Sequence, residues 1–199
     1  MPFRVVGRYV RPCLILLASG AVLALGAREA RAQAGTVSAA RVIAFSATKI
    51  SQLSVTVTSG GVQSIPSLTD NAVNNFPTPV VITTTWDVNP GQTNTVNLMA
   101  YFTTPAQALS SGATQIPASR VLGQMTTGLP VTFTAITQNA VGGVGTAGGS
   151  LRLFAQNITG ANKKASRTDN LNLQINLVGI PTLPIGTYSG TLNLRAVTQ

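Results

Sequence analysis

From about residue 51 onward, apolar and polar residues alternate with a period of two. Leu171-Asn172-Leu173-Gln174-Ile175-Asn176-Leu177 does so without a fault. That spacing puts four aliphatic side chains on one face of an extended strand and three amides on the other. Burying each aliphatic is worth roughly 1.5–3 kcal/mol, so a one-residue slip would forfeit the whole set. Tyr188-Ser189-Gly190-Thr191-Leu192-Asn193-Leu194-Arg195-Ala196 repeats the pattern near the C-terminus. Between the two, Gly179-Ile180-Pro181-Thr182-Leu183-Pro184-Ile185-Gly186 is too broken by Pro and Gly for a helix or a continuous strand.

Upstream, Val80 to Val88 is β-branched and aromatic and ends at the turn signal Asn89-Pro90-Gly91. Thr95 to Phe102 follows at once, so the pair predicts a hairpin with Ile82, Trp86, Val96 and Leu98 facing inward. Leu53 to Thr58 is a further strand, stopped by Ser59-Gly60-Gly61. Val131 to Thr137 and Leu151 to Ala155 flank a glycine-rich run from Val141 to Ser150, which predicts a flexible hairpin loop. Residues 68–79 and 104–119 are polar and rich in small residues, and predict loops. No stretch after residue 34 has helical spacing, and no solenoid period recurs. Seven or eight short strands with turns between them predict an all-β, antiparallel β-sandwich, with a barrel as the alternative.

The first residues follow another logic. Arg4, Arg8 and Arg11 precede an uncharged apolar run from Leu14 to Leu25, and Ala30-Arg31-Ala32 and Ala32-Gln33-Ala34 are small-residue frames. This is the pattern of a secretory signal peptide over residues 1–32, cleaved after Ala32 or Ala34. The apolar run is shorter than the roughly 20 residues a membrane span needs, so no stable anchor is expected after cleavage. The expected location is therefore outside the cytoplasm: periplasm, cell surface or medium.

Cleavage after Ala32 changes the chemistry on offer. The remaining 167 of 199 residues hold no cysteine, no histidine and no glutamate, and their acids are Asp70, Asp87 and Asp169. Most groups that transfer protons, attack substrates or bind metals are thereby missing. The expectation is a non-enzyme with no catalytic, cofactor-binding or metal site and no cofactor. Five of the thirteen basic residues leave with the signal, so eight cations face three acids, a net charge of +5. The cations are scattered, which argues against a nucleic-acid partner. Without disulfides, the domain must stand on packing and sheet hydrogen bonds.

Few residues stand out as candidates. Trp86-Asp87 would suit a sugar platform, but alternation puts Trp86 in the core and leaves Asp87 to open a turn. Met99 and Tyr101 alternate with the inward set and are expected on the surface. Asn162-Lys163-Lys164-Ala165-Ser166-Arg167 is a basic cluster that could meet anionic polysaccharide or lipid headgroups, or serve as a solvated hairpin tip. Asp70-Asn71 and Asp169-Asn170 predict turns rather than calcium ligands. The glycine run lacks the Gly-Lys-Ser/Thr ending of a phosphate cradle. Asn157-Ile158-Thr159 matches a glycosylation sequon. Lys49, Lys163 and Lys164 are the only bases a serine could recruit, and no motif supports that.

The stretch Leu183-Pro184-Ile185-Gly186-Thr187-Tyr188-Ser189-Gly190-Thr191-Leu192-Asn193-Leu194 resembles the final-strand motif of exported bacterial immunoglobulin-like sandwiches of the spore-coat-protein-U and fimbrial-subunit type. The resemblance implies an immunoglobulin-like β-sandwich that is secreted and forms surface fibres or coats. It carries over no binding residue, and the cysteine pair of many fimbrial subunits is missing. The expected organisation is a signal peptide (1–32), an N-terminal arm or edge strand (33–50) and a sandwich domain (51–199). The expected function is that of a structural or interaction protein of the bacterial cell surface, associating with itself or a partner subunit through a sheet edge. The alternative is a small carbohydrate-binding module. In the arm, Val37, Ala39, Ile43 and Phe45 share one face with Arg41, so the segment either docks in its own sheet or adds a strand to a neighbour.

Overall fold

A computed structural model describes residues 44–199, so the segment expected to be a signal peptide (1–32) and most of the expected arm (33–50) lie outside the described residues. Eleven strands follow in chain order: β1 (Gln52–Ser59), β2 (Val73–Asn75), β3 (Val80–Asp87), β4 (Thr95–Tyr101), β5 (Leu109–Ser111), β6 (Thr114–Ile116), β7 (Val121–Met125), β8 (Thr134–Ala135), β9 (Ser150–Asn157), β10 (Lys164–Asn176) and β11 (Asn193–Thr198). Nine of them form two antiparallel sheets in a sandwich-like arrangement, and β5 and β6 pair with each other. The larger runs β1-β3-β10-β7-β8, with β2 also on β10, and the smaller runs β11-β4-β9. The β5–β6 hairpin and two 3-10 turns, Pro105–Gln107 and Ala118–Arg120, lie within the stretch expected to be loop.

Alternation identifies the inner faces. Ile82, Trp86, Val96, Leu98, Leu151 and Leu171 are buried in one core between the sheets, and Leu173 joins them. Ile175 and Leu177 continue the same face into a smaller cluster with Ile116. Period-two patterning therefore places the inward residues correctly along β3 and β10, and Val96 and Leu98 in β4.

Partnering differs from expectation. β3 and β4 are not a hairpin: β3 pairs with β1 and β10, and β4 with β9 and β11. Their inward residues meet across the sandwich. The chain crosses between sheets on a turn in which Asn89 O accepts from Gln92 and Thr93, while its side chain accepts from Gly91. β9 and β10 likewise sit in different sheets. Lys164 to Arg167 consequently open β10 rather than sit in a hairpin tip. Val131 to Thr137 shrinks to the two residues of β8, and Tyr188 to Leu192 is not a strand, touching only through the bridge from Ser189 to Ser110.

β7 is a strand the pattern misses, because Gly123 interrupts it. A Cβ at Gly123 would stand 2.9 Å from Leu151 Cδ2 and 3.1 Å from Leu171 Cδ1, so the tips of these core leucines fill the space a side chain there would take. The glycine-rich run is not a free loop either. Val141 and Val144 pair in a tight turn, Val144 is buried, and Ser150 Oγ bonds to both the N–H and C=O of Thr146. A Cβ on Gly142 would lie 2.8 Å from Val197, which by register shares the outer face of the smaller sheet with Asn97 and Met99. The flap thus packs on that face, and Met99 is fully buried instead of exposed.

Candidate functional site

The two lateral sides of the sandwich are finished differently. On one side, residues 126–130 cross from the larger sheet to the smaller: Thr126 N–H bonds to Asn170 O and Leu129 N–H to Leu153 O. Arg167 and Asp169 hold this crossing from inside. Both carboxylate oxygens of Asp169 accept from Arg167, at 2.6 and 2.7 Å, and the Thr127 hydroxyl donates to the same carboxylate. Arg167 also donates to Thr127 O at 2.6 Å, and its guanidinium lies 4.8 Å from the centre of the Phe154 ring. Asp169 is 1 % exposed, and such a charge is tolerated only when it is paired and hydrogen-bonded. A carboxylate read as a turn former is therefore an internal anchor.

The opposite side has no such crossing among the described residues. Among the described residues, β1 pairs only with β3, and β11 only with β4. The two unpaired edges face one another across a cleft of about 330 Å³ lined by Leu53, Ser54, Val55, Leu194, Arg195 and Ala196. Leu53, Val55, Leu192, Leu194 and Ala196 pack against the core while remaining only partly buried. Their counterparts on β3 and β4 are buried outright. The cleft therefore combines half-covered apolar side chains with two rows of backbone groups free to bond, which is the chemistry of a surface that accepts another strand. Residues 44–51, just before β1, join no strand, and Phe45 and Ile50 there are exposed.

The sequence candidates do not converge on this cleft. Trp86 is in the core, its indole N–H bonded to Asn162 O at 2.8 Å. Asp87 pairs with Lys49 at 2.6 Å, and Asn89 opens the turn in its place. Asp70 accepts from Leu183 N–H; Asn71, at φ 50°, accepts from Gly179 N–H, so this pair does shape connections. Tyr101 is half-buried in β4, and Asn157 is exposed at the end of β9. No group of three potential ligands of His, Cys, Asp or Glu type occurs among the described residues.

The final-strand motif is explained by packing. Tyr188 OH donates to Pro184 O at 2.9 Å, closing a corner before β11. A Cβ on Gly186 would overlap Ser111, and one on Gly190 would overlap the carbonyl of Ala108. The glycines let this corner lie against the β5 strand. Compared with protein-family models, with curated proteins and with solved structures, the chain matches none of them.

Proposed function

We propose that this chain is a non-catalytic, exported structural subunit of a bacterial cell surface that self-associates by strand addition at the β1–β11 side. The observation that carries the reading is the cleft between two unpaired edges, with its half-covered apolar lining. The strand order supports an immunoglobulin-like assignment. With β9 set aside as an addition on the far side of β4, the strands β1, β3, β4, β7, β10 and β11 labelled A to F give A-B-E-D in one sheet and F beside C in the other. In that arrangement the next strand, G, occupies the free side of F. Here that position is the cleft. The corner formed by Tyr188 and Pro184 fits the tyrosine corner that precedes strand F in such domains.

The proposed occupant is the arm of a neighbouring copy. Val37, Ala39, Ile43 and Phe45 would face the cleft, and backbone bonding to β1 and β11 would give affinity. Deleting residues 33–48 tests the reading, with thermal melting and a sizing column as paired readouts. The truncated domain is expected to melt like the mature chain and to lose concentration-dependent association. Loss of folding would make the arm an internal strand instead. Unchanged melting with unchanged association would remove it from the assembly.

A further inference from the structure

The end of the domain where β3 stops and β10 begins gathers all three lysines of the chain. Lys49 precedes β1, Lys163 closes the β9–β10 connection, and Lys164 sits opposite Asp87 in the β3–β10 register. A recess of about 250 Å³ lies here, lined by Ile50, Ser51, Asn89, Pro90 and Asp87 together with Lys49 and Lys163, while Lys164 stands outside the lining, opposite Asp87 in the sheet. The connection carrying the lysines is firmly built. Asn162 O accepts the Trp86 indole N–H, Lys163 O accepts the Val88 N–H at 2.8 Å, and the Asn162 side chain ties Thr159 to Asn157. The backbone that carries the lysines is thus fixed, while their side chains stand exposed.

Charge at this end is unbalanced. Asp87 is engaged by Lys49, and neither Lys163 nor Lys164 forms an ion pair among the described residues. The Asp87 carboxyl is held below its ordinary value first by its hydrogen bond from Lys49, and further by the charges of Lys49, Lys164 and Lys163. All three cations therefore act on one small volume. A second copy of the domain is a poor partner, since two of its three aspartates, Asp87 and Asp169, are already paired.

We infer that this recess and its lysines form a binding site for an acidic polysaccharide, with Lys163 and Lys164 meeting sugar carboxylates. Ile50 and Pro90 offer an apolar wall to the C–H face of a sugar ring, and Ser51 and Asn89 offer polar atoms to its hydroxyls. A recess suits a chain bearing repeated carboxylates better than a flat layer of lipid headgroups. The site shares no lining residue with the β1–β11 cleft and does not rest on the assembly reading.

Native gels containing polygalacturonate or neutral dextran test this on the full mature chain at low salt. Retardation by polygalacturonate alone, abolished by added salt, is expected. Lys163→Gln/Lys164→Gln should weaken it by about tenfold, the scale of two exposed charge contacts. Arg120→Gln/Arg152→Gln removes the same charge from positions that line neither the recess nor the cleft and should leave retardation unchanged. Equal loss in both double variants would reduce the effect to net charge and overturn the site. So would an absence of retardation, or binding to anionic phospholipid vesicles with none to polygalacturonate. Unchanged melting of each variant separates lost binding from lost folding.

Discussion

Leu173 and Asn172 are neighbours in β10 that point to opposite faces. Leu173 is 8 % exposed within the core, whereas Asn172 is half-exposed on the outer face. A carboxylate at the inward position would be buried without a partner, at a cost of several kcal/mol against a total margin of about 5–15 kcal/mol. At the outward position it would remain hydrated. Leu173→Asp is therefore expected to unfold the domain, while Asn172→Asp melts within a few degrees of the parent. Equal melting of the two would contradict the register. The same parity carries a signal that charge type obscures. Arg167 and Asp169 share the face of Leu171 and Leu173. Alternation alone would have sent both inward, and their mutual pairing is what makes that position tolerable.

At the scale of elements, period two tells which face a residue occupies but not which strand lies beside it. Ile82, Trp86, Val96 and Leu98 are inward whether β3 and β4 pair or oppose one another, so the pattern alone cannot distinguish a hairpin from a crossing between sheets. β7 is hidden because its Gly123 is dictated by Leu151 and Leu171, which approach it from elsewhere in the chain. The glycine-rich flap is hidden for a related reason: its conformation is fixed by the outer face of the smaller sheet. The cleft is equally illegible, because Leu53, Val55, Leu192 and Leu194 alternate like any core strand until their missing neighbours are known. The residue 126–130 crossing yields a prediction of its own. Arg167→Leu strands the Asp169 carboxylate and should cost up to about 3–5 kcal/mol, read from urea unfolding. Arg167→Leu/Asp169→Leu should recover much of that loss, since no buried charge is left unpaired. A double variant less stable than the single one would contradict the account of the anchor.

For the whole molecule, the asymmetry between its two sides is the central feature. One side is crossed by a segment tied to both sheets and anchored on an ion pair whose carboxylate is buried; the other presents two strand edges with no partner among the described residues, over a half-covered apolar lining. Strand addition would satisfy the backbone of both edges and cover Leu53, Val55, Leu194 and Ala196 together. Amide hydrogen exchange on the mature chain, compared between dilute and concentrated samples, reads this directly. The account predicts that protection rises on concentration in β1 and β11 and stays constant in β9 and at the residue 126–130 crossing. Unchanged exchange in β1 and β11 on association, or new protection confined to the opposite side, would contradict it.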